Sequence, residues 1–132
     1  MKLTVALIAT PLLGSVSAYY LDKTCSNIKF ESATNVLELD CNNKQGEPIH
    51  QTFDLDTCLG WDASTQSIVY GSNFGESCKS CYTEQRLDIS LEGVYTHIIC
   101  TCDGIANIVR DLGAEAHLGN IDGVLTCCQY AC

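Results

Sequence analysis

Asn35-Val36-Leu37-Glu38-Leu39-Asp40-Cys41 is the stretch that decides the class of fold. Successive side chains of an extended chain point to opposite faces, so Leu37, Leu39 and Cys41 share one face while Glu38 and Asp40 take the other. Thr96, Ile98 and Cys100 repeat that face further on. Asn42-Asn43-Lys44-Gln45-Gly46 and Cys102-Asp103-Gly104 follow the two strands as turn chemistry. One window, Asn107 to His117, has apolar residues at helical spacing (Ile108, Val109, Leu112, Ala116), but Gly113 in its middle disfavours a helix. The aligned Gln51-Thr52-Phe53-Asp54-Leu55 alternates like a strand. Both segments are therefore read as a strand followed by a short turn, and the class as all-β.

These two strands belong to two copies of one pattern. With Cys41 set on Cys100, a shift of 59, the next nineteen residues align without a gap: Phe53 falls on Leu112, and Leu59-Gly60 on Leu118-Gly119. Cys25 precedes the first copy and Cys78 the second, which carries six extra residues before its second cysteine. Repeat one runs from about 24 to 77, repeat two from about 78 to 127, and a cysteine-ended tail covers 128–132.

The ends and the composition bound what such a chain can do. Lys2, the apolar run Leu3 to Leu13, and Val16-Ser17-Ala18 read as an export signal over residues 1–18, cut before Tyr19. The run is too short to span a bilayer, which takes roughly 20 apolar residues. The mature part, 19–132, holds all ten cysteines and reads as a single domain, secreted into an oxidising, extracellular setting. Loss of Lys2 takes the formal net charge from −9 to −10. That charge repels phosphate backbones and anionic lipid, so neither nucleic acid nor a membrane surface is an expected partner. No Asn-x-Ser/Thr sequon occurs.

For catalysis the chain offers His50, His97 and His117 and many carboxylates, but no nucleophile elbow, His-Glu-x-x-His or phosphate loop. Surface or structural roles are expected for the three histidines, and no enzyme. Cys78-x-x-Cys81 with Cys100-x-Cys102 has zinc-like spacing, yet in an exported chain it reads as half-cystines. No metal and no cofactor is expected.

Several short motifs carry a family resemblance. Phe53-Asp54-Leu55-Asp56 resembles an "xDLN" segment, Ser72-Asn73-Phe74-Gly75-Glu76-Ser77-Cys78 an "SNFxxxC" junction, and Leu118-Gly119-Asn120-Ile121-Asp122-Gly123-Val124-Leu125 a closing "IxNIDGxL". In this order on a two-repeat frame, the chain resembles the cyanovirin-N homology domain, a lectin family. The resemblance implies two pseudo-symmetric, strand-exchanged, disulfide-stapled repeats. It also implies bridges Cys25–Cys41 and Cys78–Cys100, closing loops of 16 and 22 residues and each contributing roughly 3 kcal/mol. It leaves Cys58, Cys81, Cys102, Cys127, Cys128 and Cys132 unpaired on paper, with 15 possible arrangements.

The resemblance further implies a carbohydrate site made of Thr24, Asn42, Asn43, Lys44, Asn120 and Asp122, groups that match the donor–acceptor hydroxyls of a sugar. A second site would use Trp61, Ser72, Asn73, Glu76, Ser77 and Thr101. There the chain departs from the pattern: Trp61 replaces Asn, the turn glycine is missing, the loop is one residue longer, and Cys102 stands where an open polar strand is wanted. Trp61 sits in a loop beside Gly60 and is expected to be exposed. Gly71 in the hinge Tyr70-Gly71-Ser72, where family members often carry Pro, favours a monomer. Two functions follow as expectations: a non-enzymatic lectin for mannose-rich oligosaccharides, or a cysteine-rich secreted interaction protein of effector type that keeps the fold without sugar binding.

Overall fold

A computed structural model describes residues 21–88 and 93–127. The expected export signal and the tail with Cys128 and Cys132 lie outside the described residues. One helical turn, α1 (Leu21–Thr24), leads into β1 (Cys25–Glu31), β2 (Val36–Asn42) and β3 (Pro48–Asp54), which form an antiparallel sheet in that order. β4 (Leu59–Asp62) and β5 (Ser67–Tyr70) form a hairpin. β6 (Cys78–Asp88), β7 (Gly93–Cys102) and β8 (Ile105–Asp111) form a second three-stranded sheet, and β9 (Gly119–Ile121) with β10 (Val124–Thr126) a second hairpin. The protein is thus all-β, and the window around Gly113 is strand β8 followed by a turn, as its glycine predicts.

The alternation read in β2 is the alternation observed. Leu37, Leu39 and Cys41 are fully buried, while Glu38 is exposed and Asp40 half-buried. Pro48 opens the edge strand β3, where its missing N–H costs least. Neither sheet has enough apolar face to make a core alone, and each borrows a hairpin from the other repeat. β9–β10 packs on β3, and β4–β5 packs on β8. Between the layers Leu21, Leu37, Leu39, Leu55, Leu59, Ile68, Phe74, Ile98, Leu112 and Leu118 have no exposed surface and form one continuous cluster. Each such side chain contributes about 2 kcal/mol by leaving water. Phe74, the aromatic of the junction motif, is a core plug between the repeats.

The cross-strand registers correct the repeat alignment. In β1–β2, Cys25 faces Cys41 and a bulge follows, with Asn27 at φ 54°. In β6–β7, Cys78 faces Cys102 and the same bulge follows, with Ser80 at φ 55°. Cys41 therefore corresponds to Cys102, not Cys100, and the ungapped alignment is out by two residues along these strands. The expected Cys78–Cys100 bridge is accordingly not the one formed. Disulfides join Cys78 to Cys102 and Cys81 to Cys100, with Cα atoms 3.9 and 4.1 Å apart on neighbouring rungs. Cys25–Cys41 is present, and Cys58–Cys127 ties the start of β4 to the residue after β10.

A small ion cluster crosses the outer face of the first sheet. His50 Nδ1 lies 2.7 Å from Asp40 Oδ1 and Nε2 lies 2.9 Å from Glu38 Oε2. The bond to Asp40 raises the histidine above its ordinary 6.5. Bonds from Asn27 and then His50 hold Asp40 below its ordinary 3.8. A histidine whose pKa is raised by folding gives stability that is complete below 6.5 and lost as pH rises through the folded value. The lowered Asp40 gives stability that is present above 3.8 and lost as pH falls through its folded value. Salt and exposure keep both effects small. The melting temperature of the parent should exceed that of His50→Gln most between pH 3.8 and 6.5, with the gap shrinking toward alkaline pH. A gap that widens above neutrality would contradict this cluster.

Candidate functional site

Three segments meet at one end of the first sheet: the end of α1, the β2–β3 turn over residues 43–47, and the β9–β10 hairpin. Asn120 holds them together. Its Nδ2 donates to Thr24 Oγ1 at 3.0 Å and to the Asn42 carbonyl at 2.8 Å, while its Oδ1 accepts from Gly123 N at 2.7 Å. Asp122 and Gly123, at φ 49° and 87°, make the two-residue turn of the hairpin, in which both central residues take positive φ. A Cβ on Gly123 would stand 2.8 Å from Ile49 Cγ1 and 3.1 Å from Asn43 Cβ, so glycine is required by space as well as by backbone. That close approach lets Asp122 Oδ1 accept from Lys44 N at 2.8 Å.

Asn43 shapes the facing turn from within, its Oδ1 accepting from Gln45 N at 3.0 Å and Glu47 N at 2.9 Å. All six residues expected at the first site are brought together here. Asn120, Thr24 and Asn43 spend their polar atoms on building the pocket. Among the described residues, Asp122 Oδ2, the Lys44 ammonium and the Asn42 side chain are exposed and form no hydrogen bond. These three can meet a ligand.

Gln51 was missed by the sequence reading. Its Nε2 donates to the Gly123 carbonyl at 2.6 Å and its Oε1 accepts from Leu125 N at 2.8 Å, so it clamps the exchanged hairpin onto β3. Its signal was a polar residue on the face that β3 shares between Ile49 and Phe53, where alternation calls for an apolar one.

The six residues expected at the second site are not gathered in this way. Trp61 holds the place of Asn120, since it pairs with Ile68 as Asn120 pairs with Leu125. It is half-buried rather than exposed, because its ring packs on the core and Nε1 donates to Asp103 Oδ2 at 2.7 Å. By the corrected register Asp103, not Thr101, matches Asn42. Thr101 instead pairs with Lys79 in the β6–β7 ladder. Asp103 N donates to the carbonyl of Ser77, the counterpart of Thr24.

The loops differ as well. The β7–β8 turn has only Asp103 and Gly104 where the first site has residues 43–47. The β4–β5 connection has four residues against two in β9–β10, one more than the sequence suggested. Asp62 is spent on capping that connection, accepting from Ser64 Oγ at 2.7 Å, and the Ser64 bonds hold its carboxyl below the ordinary value. Ser72 lies against Gly60, whose added Cβ would be 3.2 Å from Ser72 N. Asn73 and Glu76 line a separate groove, together with the first residues of β6, to which Trp61 and Asp103 do not contribute.

Among the described residues, no group of three or more His, Cys, Asp or Glu side chains is placed to hold a metal ion. His97, with 12% of its side chain exposed, lies 3.8 Å from Asp111, whose carboxyl is pushed up by burial. Both are structural neighbours in the second sheet.

The family model described as the CVNH domain matches residues 21–126. The solved structure of GzCVNH from Gibberella zeae is similar at TM-score 0.66 and 23% identity, over 81% of this chain and 95% of that one. TbCVNH from T. borchii is similar at TM-score 0.60 and 23% identity, over 82% and 98%. Microvirin, solved in complex with mannobiose, is similar at TM-score 0.57 and 20% identity, over 82% and 97%. At these identities the likeness is one of fold. A search of curated proteins found no match.

Proposed function

The chain belongs to the CVNH domain family, and from that premise we propose that it is a non-enzymatic lectin. In this reading it is exported and monomeric, and binds mannose-rich oligosaccharides through the pocket around Asn120. The observation that carries this reading is the division of labour in that pocket. Asn120 fixes three chain segments with every polar atom of its amide engaged, and Asp122 Oδ2, Lys44 and Asn42 are left free beside it. A carboxylate oxygen, an ammonium and an amide on a rigid rim can accept from and donate to neighbouring sugar hydroxyls without a metal. The mannobiose bound by microvirin supports the choice of sugar. Four disulfides among the described residues support an oxidising destination, with the mature chain beginning at Tyr19.

The Trp61–Asp103 contact favours a second reading, a secreted interaction protein that has closed its sugar sites. A glycan array probed with the oxidised protein separates the two. The lectin reading expects retention on mannose-terminated glycans, and no retention on any glycan would hand the case to the second reading.

A further inference from the structure

A groove of about 390 Å³ runs between the β1–β2 turn and the first residues of β6, apart from the pocket around Asn120. β6 supplies one wall with Cys78, Lys79, Ser80 and Cys81 in succession. A regular strand offers only every second residue to one side. The bulge at Ser80, φ 55°, breaks the alternation, so four consecutive residues line the same groove. Ala33 stands exposed on the opposite wall, and Asp56 lies between.

Two of the three charged side chains in the groove, Asp56 and Lys79, are already engaged. Asp56 accepts from Asn35 Nδ2 at 3.2 Å and from Gly75 N at 2.8 Å, and Lys79 Nζ donates to the Gly75 carbonyl at 2.6 Å. The third, the Glu76 carboxylate, is exposed and forms no hydrogen bond or ion pair among the described residues. The groove offers the Ser80 hydroxyl, the Asn73 amide and the Glu76 carboxylate over a floor of the buried Cys78 and Cys81. Hydroxyl, amide and carboxylate groups suit the hydroxyls of a pyranose, which both donate and accept. The volume falls at the lower end of the range for small-molecule sites, about 300–1,000 Å³.

We propose that this groove is a further saccharide site, taking a neutral mono- or disaccharide unit in addition to the pocket around Asn120. The inference rests on the lectin reading. Two of its lining residues, Asn73 and Glu76, are those that fail to join Trp61 in a second end-site.

Amide shifts followed by NMR during titration with mannobiose test it. Two sets of amides should move: Lys44 and Gly123 at the first pocket, and Asn73 and Ser80 at the groove. Ala33→Trp, on an exposed turn, should abolish the Asn73 and Ser80 shifts and lower the stoichiometry from two to one, with the first set unchanged. If only Lys44 and Gly123 respond, or if Ala33→Trp folds and changes nothing, the groove is not a site and the lectin reading stands. If no amide responds to mannobiose, both fall.

Discussion

Asn120→Ala should lower the stability of the protein by about 2–3 kcal/mol and weaken mannobiose binding at the first pocket by more than tenfold. The stability figure is three hydrogen bonds, to Thr24, the Asn42 carbonyl and Gly123 N, at about 1 kcal/mol each. The binding figure follows from geometry, since Asn120 contributes little to the ligand directly. Without it α1, the β2–β3 turn and the hairpin tip lose their common anchor, and the free groups on Asp122, Lys44 and Asn42 lose their fixed spacing. A loss of 1.4 kcal/mol of preorganisation is already tenfold in affinity. Urea unfolding and calorimetric titration measure the two effects. A variant as stable as the parent would show that Asn120 does not hold these segments together.

Replacing Cys58 and Cys127 together by serine should cost about 4 kcal/mol, twice the roughly 2 kcal/mol expected for the Cys81 and Cys100 pair. The bridges differ in what they constrain. Cys58–Cys127 spans 69 residues and ties one exchanged hairpin to the other. The Cys78–Cys102 bridge inside that span shortens it to an effective loop of about 45 residues, which is still long. Cys81 and Cys100 lie within three and two residues of the Cys78–Cys102 bridge, so reopening them frees an effective loop of only about five residues. Urea midpoints of the two double variants, each with its remaining bridges verified by mass, should differ in that order. Equal losses would contradict this account of the staples.

Much of this was legible in the residues. The alternation of Leu37, Leu39 and Cys41 predicted a strand with one buried face, and the motif from Leu118 to Leu125 marked the closing segment that forms β9, its turn and β10. What stayed hidden has one physical cause in several forms. A strand looks the same after a slip of two residues, because the same side chains still face inward. The apolar pattern therefore fitted Cys41 to Cys100 as well as to Cys102, and the wrong bridge and the choice of Thr101 over Asp103 both followed from that slip. Only the bulges at Asn27 and Ser80 fix the register, and a bulge has no side-chain signature when it is not glycine. Gln51 was missed and Trp61 misplaced for a related reason. Each acts on the other repeat's hairpin or turn, and local sequence does not name the partner that exchange between repeats supplies.

Calorimetric titration with mannobiose of the parent, Asp122→Ala and Trp61→Phe tests the lectin reading most directly. Asp122 carries the free carboxylate oxygen of the first pocket, and a charge-assisted hydrogen bond is worth roughly 1.5–3 kcal/mol. Trp61→Phe keeps an aromatic ring on the core and removes the indole bond to Asp103. The account predicts that the parent binds, that Asp122→Ala binds at least about tenfold more weakly, and that Trp61→Phe binds like the parent. Some of the Asp122 effect would come through the β2–β3 turn, whose Lys44 N it caps, so both variants are compared at equal folded fraction. A parent that takes up no mannobiose, or binding that survives Asp122→Ala and is lost with Trp61→Phe, would contradict it.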